Sequence, residues 1–180
     1  RDGWSWNCEH AGLGKSAELV NPRLPLSLGQ NWESSRVAGG TPGRANSVSE
    51  NLETQAPLLS DPRHVPVVPR SDERVNLSVR VTTLSAETPE VQDSGSLSEH
   101  GDAVAGDGVF SNYIPAQKLG TVVEFYFTVR IGEGPQRVYP QVIPNDQGRS
   151  PWLVFQVDEE RVDAQQTQPF LRVILPAVEY

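Results

Sequence analysis

The chain has 180 residues, a formal net charge of −8, 37% hydrophobic and only 7% aromatic residues, with 15 Gly and 15 Pro. Its basic residues are scattered singly, which excludes the clustered Lys/Arg surface that nucleic acid requires. No apolar run is long enough for a membrane span, and no basic-then-apolar leader opens the sequence. The turn-rich composition favours short strands over long helices, so the chain reads as all-β: thin sandwiches joined by long loops.

The opening, Arg1-Asp2-Gly3-Trp4, and the lack of any Met read as a piece of a longer polypeptide. Residues 1–47 contain Trp4 and Trp6, a strand-like run from Ser16 to Asn21 and a glycine-rich loop, Gly39 to Gly43. So short a segment struggles to bury enough surface alone. It reads as the C-terminal part of a domain lacking its first strands, or as a segment that packs on its neighbour. The single Cys8 forms no internal disulfide and is expected to be an inert, buried thiol. Gly12-Leu-Gly-Lys-Ser16 fails as a phosphate-binding loop, because Glu9 stands where the first glycine belongs and a strand pattern follows where a helix is needed.

Residues 48–56 read as a linker. From Ala56 to Pro69 four prolines, Pro57, Pro62, Pro66 and Pro69, leave few amides for a ladder, so this stretch is expected to be linker followed by an edge segment. Residues 57–140 hold the two strongest strand patterns. Val75, Leu77, Val79 and Val81 alternate with Asn76, Ser78 and Arg80; Thr121, Val123, Phe125, Phe127, Val129 and Ile131 alternate with Glu124, Tyr126, Thr128 and Arg130. Period-2 patterning makes one face core and the other wet, and predicts two long strands facing each other across a sandwich. Between Thr83 and Ser98 the chain is short, polar and interrupted by Pro89, and a middle strand is expected to be missing. Residues 141–180 read as a connection toward a downstream domain, carrying apolar runs at Trp152–Val157 and Phe170–Leu175.

The sharpest metal candidates are Asp93, Asp102 and Asp107, with Glu99 among them, in a glycine-rich stretch. Calcium takes several oxygen ligands from a flexible turn, but the spacing is not that of an EF-hand, and Asp-Gly pairs are also ordinary turn formers. Trp4 and Trp6, two apart and on one side of an extended segment, are candidates for stacking on carbohydrate; Trp32, Trp152 and at least one of that first pair are expected to pack in cores. His10, His64 and His100 share no zinc spacing. Ser150 lies in turn chemistry outside any nucleophile elbow, and Asn76-Leu-Ser78 is a glycosylation pattern inside a strong strand.

Two segments resemble known modules. Lys15 to Pro22, Gly29-Gln-Asn-Trp32-Glu-Ser-Ser35 and Gly39 to Asn46 resemble the C-terminal half of bacterial lamin-tail-type domains, which are small immunoglobulin-like sandwiches. Asp61 to Pro69, Val75 to Val81, Gly106 to Phe110, Ile114 to Gln117, Gly120 to Val129 and Arg137 to Pro140 are similar to the sandwich module upstream of the kinase-like domain in proteins related to spore coat protein H. The resemblance implies an immunoglobulin-like or fibronectin-like sandwich preceded by an incomplete sandwich segment. It also implies an extracytoplasmic protein, secreted or at the cell surface, whose kinase-like domain lies downstream.

The reading is therefore a non-catalytic structural or interaction module, a spacer or docking surface whose partners are neighbouring domains of the same polypeptide or a cell-surface protein. One alternative is a carbohydrate-binding module with a calcium-supported loop. The other is an accessory region of a protein whose activity resides in the downstream domain.

Overall fold

The computed structural model describes residues 14–50, 55–87, 89–93, 106–141 and 152–159. Apart from one turn of 3₁₀ helix at Gly29–Asn31, their regular structure is strand: β1 (Ala17–Leu19), β2 (Trp32–Ser34), β3 (Leu58–Val65), β4 (Val75–Thr82), β5 (Glu90–Asp93), β6 (Val109–Ile114), β7 (Val122–Phe125), β8 (Phe127–Arg130), β9 (Arg137–Tyr139) and β10 (Leu153–Gln156). β3-β4-β6 form one antiparallel sheet and β5-β8-β9 another, while β7 pairs with β10 and β1 with β2. The fold is all-β and sandwich-like.

β4 supplies the centre of the first sheet for the reason its sequence announces. Val75, Leu77, Val79 and Val81 are all buried, and they share one core with Leu59 of β3, Phe125, Phe127, Val129, Phe155 and Val157. Each such side chain, fully buried, contributes about 1.5–3 kcal/mol relative to exposure. At the rim of this core the His64 ring stacks on Phe155 with centroids 5.5 Å apart and meets Phe125 edge-on at 6.0 Å. Its Nε2 lies 3.2 Å from the Val67 carbonyl, an oxygen that only accepts, so that nitrogen carries the proton.

Three expectations change. The run from Thr121 to Ile131 is two strands rather than one. At Tyr126 the chain exchanges partners, from β10 along β7 to β5 and β9 along β8, while Phe125 and Phe127 stay buried on either side. The stretch 58–65 is an edge segment, as expected, but it carries a ladder along β4 where the prolines were expected to leave few paired amides. Pro62 is accommodated because it falls within a register shift between Ser60 and Arg63, with Asp61 at φ 51°, where no ladder amide is required. Lastly, a strand does form between 83 and 98: the four-residue β5 pairs along β8, and Arg130 donates to the Glu90 carboxylate at 2.8 Å.

Candidate functional site

The feature with the most specific chemistry is a polar seam where residues 14–50 meet the sandwich. In β3, Leu58 and Leu59 point to opposite faces and both are fully buried, so the sheet is covered on both sides at this point. Leu59 sits opposite Val81 of β4, but its own amide and carbonyl turn outward along the free edge. There the Gln30 side chain takes both: Nε2 donates to the Leu59 carbonyl and Oε1 accepts from the Leu59 N–H, each at 2.9 Å. One primary amide thus replaces the peptide group of a missing neighbouring strand, and an otherwise open edge is closed.

The 3₁₀ turn explains why Gln30 is available. Successive residues of so tight a turn diverge, so Gln30 reaches β3 while Asn31 turns back into its own loop. Asn31 is fully buried. Its Nδ2 donates to the carbonyls of Asn21 at 2.9 Å and Leu24 at 3.3 Å, and its Oδ1 accepts from the Asn21 N–H at 3.0 Å and from Gln55 Nε2 at 3.3 Å. From the sandwich side, Arg137 of β9 donates to the carbonyls of Pro57 at 2.7 Å and Ala56 at 3.4 Å. Charge gathers here too. Desolvation and then the Glu50 charge raise the Glu33 carboxyl above its ordinary pKa, although the residue as a whole is exposed; Arg137 and Arg36 pull the other way. Desolvation lowers the pKa of Arg137, opposed by Glu33 and Glu50.

A buried carboxylate organises the segment itself. Glu18 accepts from Thr41 Oγ1 at 2.6 Å and from both the N–H and Oγ of Ser47 at 2.7 Å. The Thr41 hydroxyl is the largest influence holding its pKa below the usual carboxylate value; burial opposes it, and the Ser47 and Ser16 bonds reinforce it. Glu18 thereby ties β1 to the loop that carries Gly39 to Gly43.

Of the candidate metal ligands, Asp93 and Asp107 fall among the described residues. Asp107 accepts from the Val109 N–H at 2.7 Å, while its own carbonyl accepts from Arg80 at 3.2 Å; this is an Asx turn opening β6. Asp93 ends β5 opposite Phe127. Asp102, Trp4, Trp6, Cys8, Glu99, His10, His100, Ser150 and the run Phe170–Leu175 lie outside the described residues. Among the described residues no group of three His, Cys, Asp or Glu is arranged to hold a metal ion, and no helix is long and apolar enough to cross a membrane.

Trp32 and Trp152 are half-buried rather than core residues. Trp32 donates to the Leu26 carbonyl at 2.9 Å, and Trp152 stacks on Tyr126 with centroids 4.5 Å apart. The reason is register: Tyr126 and Trp152 share the outward parity of β7 and β10, whose inward residues are Phe125 and Phe155. Sequence reading missed Gln30, Asn31, Glu18 and Arg137, because a buried polar side chain carries no periodic signal.

No family model, no curated protein and no solved structure matches this chain.

Proposed function

We propose that this chain is a non-catalytic structural module, an immunoglobulin-like sandwich with a shorter β segment fixed to its edge, serving as a spacer and docking surface in a larger extracytoplasmic protein. The observation that carries the reading is the two-way bond between Gln30 and Leu59. A flexible tether needs no such bond. A spacer that must present neighbouring domains at a set angle needs its parts locked together; Asn31 adds a bond to Gln55 beside it, and Arg137 holds the approach to β3 from the sandwich side. A carbohydrate-binding role is the second reading. It draws on the half-exposed Tyr126–Trp152 stack on the outer face, since aromatic faces on a sheet suit sugar rings.

The test is the distance between nitroxide labels at Val37 and Leu119, both exposed, measured by pulsed EPR in a Cys8→Ser background. A single narrow distribution is expected for a rigid spacer. A broad one spanning many ångströms overturns it. Titration with oligosaccharides followed by tryptophan fluorescence, wild type against Trp152→Ala, tests the second reading; an unchanged spectrum rejects it.

A further inference from the structure

In sequence the basic residues stand singly, but the β3-β4-β6 sheet gathers three of them on its outer face. Val75, Leu77, Val79 and Val81 of β4 point into the core, so the alternate positions Arg74, Asn76, Ser78 and Arg80 form one outward column. Arg63 of β3 lies directly opposite Ser78, and Ser111 of β6 lies opposite Ser78 on the other side. The neighbouring His64 ring stacks on Phe155 in the core, which leaves Arg63 on the outer face.

All three arginines are exposed. Arg63 makes no hydrogen bond or ion pair among the described residues. The Arg74 guanidinium lies over the Tyr113 ring, 4.2 Å from its centroid, which holds it on this face. Arg80 donates to the Asp107 carbonyl at 3.2 Å, and its Nε stands 3.7 Å from the Asp61 carboxylate. Asp61 is the one acidic residue in β3, β4 and β6, so the face keeps an excess of positive charge on a chain whose net charge is −8. Measured along the strands, a rise of about 3.3 Å per residue sets Arg63 roughly 7 Å from Arg80 and roughly 13 Å from Arg74.

Spaced guanidinium groups with an amide and two hydroxyls between them complement a polymer whose carboxylates are separated by hydroxyl-bearing units. We propose that this face binds a carboxylated polysaccharide, its uronate groups on Arg63, Arg74 and Arg80 and its ring hydroxyls on Asn76, Ser78 and Ser111. Nucleic acid, with one charge per roughly 1.7 Å of duplex, demands a denser array of cations. An acidic peptide in extended form finds its backbone partners along a sheet edge rather than on a face. A rigid spacer requires no such surface, so this inference goes beyond the proposed function, and the label distances and the titration below can fail independently.

The experiment is titration of the ¹⁵N-labelled full chain with hexagalacturonate, read from amide shifts, with the methyl ester of the same oligomer as the neutral counterpart. Saturable shifts centred on residues 63, 76–80 and 111–113 with a dissociation constant on the order of 1 mM are expected, weakened about tenfold for the ester and about threefold in Arg63→Gln. Arg63→Gln breaks no internal bond among the described residues, so weaker binding there is not a loss of fold. Arg44→Gln removes the same charge from an exposed position in the shorter segment and is expected to bind as wild type does. Hexaglutamate binding more tightly than hexagalacturonate assigns the face to an acidic protein segment and overturns the proposal. It is equally overturned by shifts that do not saturate or that centre elsewhere, by undiminished binding of the ester, or by equal weakening in Arg44→Gln and Arg63→Gln.

Discussion

Replacing Gln30 by alanine removes both bonds to Leu59 and leaves an N–H and a carbonyl of a fully buried residue without partners. An unsatisfied buried polar group costs about 1–3 kcal/mol, so the pair sets a loss on the order of 2–6 kcal/mol, the lower figure applying where water enters the space vacated. For a domain of this size each kcal/mol moves the thermal midpoint by about 2–4 °C, which places the expected fall at roughly 4–24 °C. Differential scanning calorimetry at neutral pH measures it, with Gln117→Ala as the control: Gln117 also donates to a backbone carbonyl, at 3.0 Å, but on the exposed surface. The control is expected to stay within about 0.5 kcal/mol of wild type. A Gln30→Ala variant as stable as the control refutes the claim that this amide closes the edge of β3.

Three further outcomes follow from the same packing. Because its hydrogen bonds hold Glu18 below the ordinary carboxylate pKa, its contribution is fully present above the unfolded-state value and is lost as pH falls through the lower folded value. Glu18→Gln is therefore less stable at neutral pH and shows a shallower loss of midpoint on acidification, and parallel acid profiles for the two proteins contradict this. Gly40 lies at φ 73°, and an added Cβ there would stand 2.9 Å from the Ser16 Cβ, whereas Gly39, at φ 79°, has open space around it. Urea unfolding is expected to show Gly40→Ala losing about 1–3 kcal/mol more than Gly39→Ala, and equal losses remove the argument for close approach. With the Asp107 carboxylate engaged by the Val109 N–H, excess calcium is expected to leave the midpoint where chelator puts it; an upward shift abolished by Asp107→Asn would instead establish a calcium loop.

What the sequence announced was periodicity. β4 stands where Val75 to Val81 alternate, because one buried face and one wet face leave a direct imprint on residue order. The same imprint runs unbroken from Thr121 to Ile131 and therefore hides the exchange of partners at Tyr126, which changes neighbours without changing faces. β5 escaped notice because it is four residues long and polar, and its ion pair joins Glu90 to Arg130, forty positions away. Prolines misled at β3, since their effect depends on whether they meet a ladder position or a bulge. The seam was the least legible part. Gln30 and Glu18 look like surface residues in sequence, and their burial is decided by Leu59 and Ser47, each 29 residues distant.

Native-state amide hydrogen exchange tests most directly whether the two β segments are one body. The Leu59 amide, bonded to Gln30 alone across the seam, reports its opening, and amides of Val20 and Ser35 report the shorter segment. If the account is right, these amides exchange with the same free energy as core amides of β4, and all fall together in Gln30→Ala. Exchange at Leu59, Val20 and Ser35 through a separate, lower-energy opening, with β4 still protected, would show two loosely joined units and contradict it.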